Sequence, residues 1–426
     1  MSFLIDYITL WPTIMRHPSG LNGIAGGDGK ERRLWSNRRY SKFLRLNLHL
    51  IYLRIMGKLL PNFDFSSSIC FAEDAGIKVL DKSFSFQTPL WLWQESDKPF
   101  FSACASRRKG NEIEVKSRFR AFLFRHITLT AHNRDLYDAA SNCQIASKYS
   151  FPIKIRDYTV RSASKTDRIP GRVFIDQTSV RTSNNYYHFH HAMTIACRLA
   201  IAFPSEEVRF VISYQGTGWK ETIVAALQNH FDNLSFIQID DSVSYEVEEA
   251  VVVSEETEWI FDLLARKQDY LKMAQIVKDH CLSMQNDKAH FEENSSAFSS
   301  LNKAYLSRPL ALGRSIVNED EFINRQLMPN GFTPIKPEMY SYSQQVLELF
   351  GQINEVITTP GAALTNLAFC KPDTFVTVIE DISQVQPFWN IYANIFGLHF
   401  INLTNGVQMD KANNYQLDLE KCHLIR

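Results

Sequence analysis

The stretch TTPGAALTNLAFCKP, from Thr358 to Pro372, interrupts an apolar run with a Pro-Gly turn and continues in small and polar residues. Residues 355–359 are predicted to form a short buried strand, and residues 362–370 a helix, so that Pro360-Gly361 is the turn between them. The first turn of such a helix has free backbone N–H groups and the positive end of the helix dipole, which suit a phosphate or carboxylate. Similar turns also occur for packing reasons alone, so this stretch identifies no ligand by itself.

The composition is that of an ordinary globular protein. The chain has 426 residues, of which 45% are hydrophobic and 22% charged, and its 46 basic residues are balanced by 46 acidic ones. A chain of this length can bury a large core and is expected to form at least two domains. Because the net charge is zero, the composition predicts no nucleic-acid partner.

The seven cysteines are scattered and have neither the spacing of a metal site nor that of a disulfide framework, which favours a reducing compartment. The first 20 residues carry Asp6 and Pro12 within their apolar part and lack a basic start, unlike a secretory signal. No apolar run reaches the ~18 residues that a membrane span needs. These features predict a cytoplasmic protein.

One segment has a strong local charge. From Lys30 to Lys58 there are nine basic residues and one acidic residue, interleaved with leucines. Residues 30–60 are interpreted as a solvated face over a core, or alternatively as a surface that binds an anionic membrane. The alternative would place the protein peripherally on the inner face of the membrane.

The organisation of the chain changes near residue 150. Residues 1–150 are an N-terminal extension to which the sequence assigns no fold. Strand and helix patterns alternate over residues 151–284 and again over residues 301–426, with a linker at 285–300 that is rich in Asn, Ser and charge. A long polar helix is predicted from about residue 255 to 283. The predicted fold class is α/β, with two Rossmann-like domains facing a cleft and ligands at the carboxyl ends of the strands.

The second half of the chain carries a series of short motifs in a fixed order. They are Tyr305-Leu306-Ser307-Arg308, Asn318-Glu319, Gly331-Phe332, Gln344-Gln345, Gly361-Ala362-Ala363-Leu364-Thr365-Asn366 with Phe369, and Val378-Ile379-Glu380. The series resembles the family 61 glycosyltransferases, which include bacterial capsular polysaccharide proteins, plant xylan glycosyltransferases and animal O-linked N-acetylglucosaminyltransferases. The resemblance covers about residues 172–403.

This resemblance implies a transferase of GT-B-like architecture that moves a sugar from a nucleotide-sugar donor to a glycan or glycolipid acceptor in the synthesis of a capsular or related surface polysaccharide. The donor would bind mainly to the C-terminal domain and the acceptor mainly to the N-terminal one. We predict no cofactor and no metal, the nucleotide-sugar being a substrate. The motifs nominate the donor-binding residues Tyr305, Arg308, Arg314, Asn318, Glu319, Gly361, Ala362, Ala363, Leu364, Thr365 and Asn366.

The residues themselves support a donor site. A departing nucleoside diphosphate requires positive charge and N–H donors where negative charge grows. Arg308 at a strand end and the helix start near Ala362 supply both, and Arg314 is a second nearby cation. The alternative is that both arginines are ordinary loop charges.

Three histidines are candidates for the base that deprotonates the acceptor, because the histidine pKa lies near neutrality. His188 is preferred because it follows a family-like Asn-Tyr-Tyr. The family pattern continues with an Arg-Leu, here Arg198-Leu199, and the spacing to this pair fits His190 better. Asn185, Tyr187 and His191 are predicted to bind the acceptor. A metal site is disfavoured because adjacent helical residues diverge by about 100° and no Asp, Glu or Cys lies within the next few positions. Buried structural histidines are the other alternative.

Two departures from the family pattern favour a second function. Pro360 stands where family members usually place His, and Ala192-Met193-Thr194 lacks the acidic residue that many members carry. The alternative is therefore a catalytically degenerate homologue that binds glycan or scaffolds an assembly. A nicotinamide oxidoreductase is disfavoured because no GxGxxG motif opens a helix.

Overall fold

The computed structural model describes residues 69–89, 108–109, 112–130, 135–138, 143–146, 165–176, 180, 185–213, 218–256, 262–288, 301–381, 387–410 and 412–420. All of them belong to one compact unit, Leu48–Arg426. The basic segment at residues 30–60, with its predicted membrane surface, lies outside the described residues. The fold is mixed α/β with two sheets, which confirms the α/β part of the predicted fold class, while the two Rossmann-like domains stay a prediction.

The first sheet has ten strands in the described part of the chain. They are β1 (Ile69–Phe71), β2 (Ile77–Pro89), β3 (Arg108–Lys109), β4 (Glu112–Leu129), β5 (Leu136–Asp138), β6 (Cys143–Ala146), β7 (Thr166–Ile175), β8 (Val208–Ile212), β9 (Leu234–Gln238) and β10 (Ser244–Glu256). Their order is β1-β6-β5-β4-β10-β7-β8-β9, with β2 and β3 paired to β4. Strands from before and after residue 150 therefore share one sheet, since β4 pairs with β10.

The strand β4 shows why the early residues join this sheet. Its side chains alternate between two apolar cores, with Phe119 and Ala121 in one and Phe122 and Phe124 in the other. Both faces are thus covered, as they also are for β10, whose apolar run is typical of a central strand. The aromatic composition of residues 1–150 gave no sign of this pairing, because strand partners lie far away in sequence.

Five helices accompany the first sheet in the described residues: α1 (Ala72–Ala75), α2 (Tyr186–Ala202), α3 (Gly218–His230), α4 (Asp262–Ala265) and α5 (Lys267–Lys288). The predicted start of the long polar helix at residue 255 is wrong, because Glu255 is still in β10, where it pairs with Phe119. The predicted linker also begins too early, since residues 285–288 still belong to α5. The rest of that linker, residues 289–300, lies outside the described residues.

The second sheet has six strands in the order β12-β11-β13-β14-β15-β16. They are β11 (Lys303–Leu306), β12 (Thr333–Ile335), β13 (Glu355–Thr358), β14 (Phe375–Asp381), β15 (His399–Gln408) and β16 (Tyr415–Leu417). The first five run parallel, as the sequence predicted, and β16 is antiparallel to β15. The predictions from the sequence did not include β16.

The helices of the second half are less regular than predicted. After β11 the chain forms α6 (Glu319–Phe322), a π turn (Ile323–Leu327) and a 3₁₀ turn (Met328–Asn330). After β12 it forms α7 (Tyr342–Gln344) and a π turn (Gln345–Leu349). The predicted helix after Pro360-Gly361 is a 3₁₀ helix, Ala362–Phe369. The last helix is α8 (Pro387–Ile395).

One apolar core joins the two sheets. It contains Phe119 from β4, Met193 from α2, Tyr270 from α5, Leu367 from the 3₁₀ helix and Phe400 from β15. Helices of both halves thus pack in a common layer between the sheets, while separate cores cover the outer faces. This layer fixes the position of the helix starts that face the candidate site.

Candidate active site

A cleft of about 1330 Å³ lies at the carboxyl ends of β11 and β13. Among the described residues its walls come from both halves of the chain. The first half contributes Tyr186, Gly218, Trp219, Thr222, Met284 and Gln285, and the second contributes the segments 306–309, 340–345 and 358–359 with Leu312, Pro337, Glu338, Glu348, Gly361, Ala363 and Asn366. The opening motif of the sequence analysis therefore borders a large cleft, as the parallel strand order predicts.

Arg308 is the most distinctive side chain of this cleft. Its Nε donates to the backbone oxygen of Gly313 at 2.7 Å and its Nη2 to that of Leu312 at 3.2 Å. No acidic residue pairs with it in the described part of the chain. Burial lowers the pKa of Arg308 from its ordinary value, and the positive charge of Arg314 lowers it further. The guanidinium remains a cation at neutral pH, so the cleft holds a half-buried positive charge without a counter-charge from those residues.

Gly361 permits the position of this guanidinium. Its backbone is extended, and a Cβ atom placed on it would lie 2.2 Å from Nη1 of Arg308. Any larger residue would therefore push the end of the Arg308 side chain away. The sequence predicts a phosphate or carboxylate at the helix start beside this glycine, whereas the contact seen in the structure is with Arg308.

A chain of hydrogen bonds links the two halves beside these groups. The Tyr186 hydroxyl donates to Oδ1 of Asn366, whose Nδ2 donates to Oε1 of Gln345 at 3.1 Å. The Nε2 of Gln345 in turn donates to the backbone oxygen of Tyr340 at 3.1 Å. Two of the family-like motifs, the Gln pair and the Leu-Thr-Asn, thus meet in space with the first residue of α2.

The nominated donor residues divide into two groups. Arg308, Gly361, Ala363 and Asn366 line the cleft. Seven others are not among the lining residues: Tyr305, Arg314, Asn318, Glu319, Ala362, Leu364 and Thr365. The separation of Tyr305 from the cleft follows from strand geometry, since neighbouring side chains of β11 point to opposite faces of the sheet.

Several of these seven residues have structural contacts. The Tyr305 hydroxyl donates to Oε1 of Glu319 at 2.7 Å, and the side chain of Asn318 bonds both backbone groups of Leu417 in β16. Leu364 is buried in the core that joins the sheets, and the backbone oxygen of Thr365 accepts from Tyr392. Ala362 is half-buried and has no side-chain polar group. Arg314 is exposed with a left-handed backbone.

None of the three candidate histidines is among the described residues that line the cleft. His188 is half-buried in the first turn of α2, and burial lowers its pKa. His190 is fully buried beside the Tyr342 hydroxyl at 3.4 Å, and burial lowers its pKa to about 3. The Nδ1 of His191 lies 2.8 Å from the Tyr270 hydroxyl and its Nε2 lies 2.5 Å from Nη1 of Arg266. The structure favours the buried structural alternative for His190 and His191.

The two other predicted acceptor residues also have structural contacts. Oδ1 of Asn185 accepts from the backbone N–H of His188 at 3.2 Å, so Asn185 caps α2. Tyr187 packs against the rings of Phe388 and Trp389, and its hydroxyl lies 3.4 Å from that of Tyr270.

A buried ionic cluster lies between α2, β10 and α5. Nη1 of Arg198 donates to Oε1 of Glu255 at 2.6 Å, Nε of Arg198 donates to Asp269 at 2.8 Å, and Arg266 pairs with the second oxygen of Glu255. Burial raises the pKa of Glu255, but Arg266 and Arg198 outweigh burial and hold this pKa below its ordinary value. His191 contacts the same cluster through Arg266. Arg198, downstream of the histidines, therefore belongs to a charge-paired structural cluster.

Sequence reasoning missed the residues that complete the cleft. Trp219 lies in the first turn of α3, and its ring is 4.5 Å from that of Tyr186. The Gly218-Trp219 pair after the predicted strand β8 was an available signal, because it follows a carboxyl end. Glu348 and Gln285 lie within helices and had no comparable signal.

Two further observations concern cofactor and membrane chemistry. Among the described residues, no group of three or more His, Cys, Asp or Glu side chains is arranged to hold a metal ion. Metal independence stays a prediction. In the same part of the chain, none of the helices is long and apolar enough to cross a membrane.

The fold and the cleft together define an α/β protein whose cleft, at the carboxyl ends of parallel strands, holds the half-buried cation of Arg308. The family model described as Glycosyltransferase 61 matches residues 122–377, which is more than half of the chain. The chain therefore belongs to the glycosyltransferase 61 family, as its motifs indicated. Membership implies a glycosyltransferase that acts on a sugar donor and an acceptor. A comparison with curated proteins gave no significant match.

The matched region differs from the resemblance seen in the sequence. It begins earlier, within β4, and thereby includes part of the segment to which the sequence assigned no fold. It ends before Val378-Ile379-Glu380. The match and the sheet agree that residues before 150 contribute to the family fold.

Proposed function

We propose that the protein transfers a sugar from a nucleotide-sugar donor to a glycan or glycolipid acceptor. The observation that carries this proposal is Arg308, a half-buried cation at the carboxyl end of β11 that has no acidic partner among the described residues. A buried charge is costly unless a group of opposite sign compensates it. The diphosphate of a nucleotide-sugar would supply that compensation, and Arg308 would stabilise the charge of the leaving nucleoside diphosphate.

The walls of the cleft support a division of labour between the halves. Arg308 and Gly361 belong to the second half, so we assign the donor to it, with Arg314 adding positive charge nearby. Trp219 and Thr222 lie on the first-half wall, where an indole ring can pack against the apolar face of a sugar. The acceptor is assigned to this wall.

The larger architecture belongs to the same proposal. Two Rossmann-like halves facing a cleft, residues 151–284 and 301–426, would form a GT-B-like enzyme, with the shared helical layer holding the halves together. We further propose a metal-independent reaction in surface or capsular polysaccharide synthesis in the cytoplasm. A peripheral membrane contact would involve residues 30–60.

A catalytically degenerate homologue is the second candidate. Pro360, which replaces the usual family histidine, is buried beside Gly361, and none of the candidate base histidines is among the described cleft-lining residues. Such a protein would bind a nucleotide or glycan without turnover and would act as a glycan-binding or scaffolding protein.

Titration of the full-length chain with UDP, CDP and GDP, followed by thermal shift and calorimetry, tests the donor site. An active transferase should be stabilised by one of them, by about 2.7 kcal/mol at a ligand concentration of 100 Kd. The same protein should release that diphosphate from the matching nucleotide-sugars, in EDTA as well as in Mg²⁺. Binding without release would favour the degenerate homologue, and absence of binding to all three would contradict the proposed donor site.

A further inference from the structure

We propose that Glu348 is the general base that deprotonates the acceptor, held in position by Gln285. This inference rests on the proposed transferase function. It names a catalytic residue on the cleft wall, where the histidine motif of the sequence had suggested a different one.

The geometry of the pair connects both halves of the chain. Nε2 of Gln285, in α5, donates to Oε1 of Glu348 at 3.2 Å, and both residues line the cleft. Because one oxygen is held by an amide from the opposite half, the carboxylate is fixed with respect to both walls. The second oxygen accepts no hydrogen bond from a protein group in the described part of the chain, so it is available to a hydroxyl in the cleft.

The local backbone connects Glu348 to the proposed donor site. Glu348 lies in the π turn Gln345–Leu349, where the backbone N–H of Phe350 donates to the oxygen of Gln345 at 2.9 Å. Such π turns are frequent at functional sites. Gln345 is three residues earlier, hence about one turn or 5–6 Å away, and its side chain bonds Asn366 of the 3₁₀ helix that starts after Gly361.

The surroundings of Glu348 suit a base. No cation pairs with its carboxylate among the described residues. Burial raises the pKa of Glu348 above its ordinary value, while the hydrogen bond from Gln285 opposes that rise. A partly desolvated, unpaired carboxylate is a stronger proton acceptor than a solvated or ion-paired one. The other acidic residue on the described cleft wall, Glu338, is exposed.

In the proposed reaction Glu348 takes the acceptor proton and Arg308 stabilises the leaving group. The acceptor O–H proton moves to Glu348 as the acceptor oxygen forms a bond to the anomeric carbon of the donor sugar. The bond between that carbon and the diphosphate oxygen breaks, and the nucleoside diphosphate leaves with the electron pair, stabilised by Arg308. Glu348 then returns its proton to solvent. Water can take the place of the acceptor, which makes donor hydrolysis a measurable form of the same step.

The test compares Glu348→Gln with the wild type in hydrolysis of a panel of UDP-, GDP- and CDP-sugars and in calorimetric binding of the free diphosphates. We expect kcat to fall by about 10²–10⁴-fold and the diphosphate affinity to stay within about twofold, because a general base acts in the transition state. Asp279→Asn is the matched control, since Asp279 also accepts from a glutamine of α5, Gln275 at 2.8 Å, but is exposed and is not a cleft residue. Gln285→Leu should lower kcat by a smaller factor than Glu348→Gln.

The outcomes separate this inference from the proposed function. If the wild type binds no diphosphate and hydrolyses no donor, the transferase function fails and the base assignment fails with it. If the wild type is active but Glu348→Gln retains its kcat, only the base assignment is wrong. A large loss of diphosphate affinity in Glu348→Gln would instead make the residue a nucleotide ligand and would overturn the assignment. A wild type that binds a diphosphate but hydrolyses none of the panel would also overturn the assignment.

Discussion

Two groups of arginines in this protein have opposite surroundings. Arg266, which is buried, and Arg198, which is largely buried, lie between α2, β10 and α5, and each pairs with the carboxylate of Glu255. Arg308 and Arg314 lie close enough for their charges to interact, and neither pairs with an acidic residue in the described part of the chain. The sequence places arginines in family-like motifs in both halves and does not distinguish the two groups.

Structural and ligand-binding charges differ in where their compensating charge comes from. In the first group the ionic partners are within the protein, so the charges are compensated in the folded state before any ligand binds. In the second group the compensation has to come from a ligand or from solvent. Mutations in the first group should therefore change stability, and mutations in the second should change binding.

The largest effect is expected from Glu255→Ala. Removing this carboxylate leaves the guanidinium groups of buried Arg266 and largely buried Arg198 without their shared partner, and breaking a buried pair in this way costs about 3–5 kcal/mol of the free energy of unfolding. Urea denaturation measures the loss. Glu321→Ala, which removes an exposed partner of Arg325, is the control and should have little effect on stability. A comparably small effect of Glu255→Ala would remove the structural role of the first group.

Arg308→Ala should act on binding instead. We expect the free energy of nucleoside diphosphate binding to weaken by about 1.5–3 kcal/mol, the range for a hydrogen bond to a charged group, with unfolding nearly unchanged. Calorimetry measures the affinity, and Arg325→Ala at the distant exposed pair serves as the control. Equal affinity in Arg308→Ala and the wild type would place the phosphates elsewhere.

The buried histidine His190 should make stability depend on pH. Its folded-state pKa of about 3 lies below the ordinary value of 6.5, so the unfolded chain binds a proton more readily and stability falls as pH drops below 6.5. One such histidine removes about 2 kcal/mol between pH 7 and pH 5. Urea denaturation at both pH values should show this fall in the wild type and a smaller one in His190→Leu. An identical pH dependence in both proteins would contradict the burial of His190 as a neutral ring.

Gly361→Ala should weaken diphosphate binding by about 1 kcal/mol, because its Cβ would displace the guanidinium of Arg308. The decisive measurement is a double-mutant cycle by calorimetry. In the Arg308→Ala background the same change should have almost no effect, since the displaced group is absent. Additive losses would mean that Gly361 serves close approach of the phosphate itself.

The smallest effect is expected from His188→Ala. A general base at this position would imply a loss of turnover of about 10²–10⁴-fold. Since His188 is not among the described residues that line the cleft, we expect the rate of donor hydrolysis to change by less than about threefold, or under about 0.7 kcal/mol. A large loss with unchanged diphosphate affinity would restore His188 as the base and contradict the assignment of Glu348.

Local patterns predicted a large part of this molecule. The parallel strands β11 to β15 and the turn at Pro360-Gly361 follow from short apolar runs and turn residues, which act within a few positions. The position of Arg308 at a strand end followed from the same pattern, because parallel strands place their carboxyl ends together. The family could also be recognised from the sequence, since each of its motifs is a contiguous run of residues.

The tertiary structure alone decided which of these residues meet. The pairing of β4 with β10 joined the early residues to the first sheet. Burial against Tyr342 kept His190 from lining the cleft, and burial against Tyr270 of α5 did the same for His191. The contact of Gln285 with Glu348 joins positions 63 residues apart. Helical periodicity fixes which residues share a face, but not what the face packs against. Burial and charge pairing depend on that packing, and they distinguish the charge-paired Arg198 from Arg308 and the buried histidines from Glu348 in the cleft.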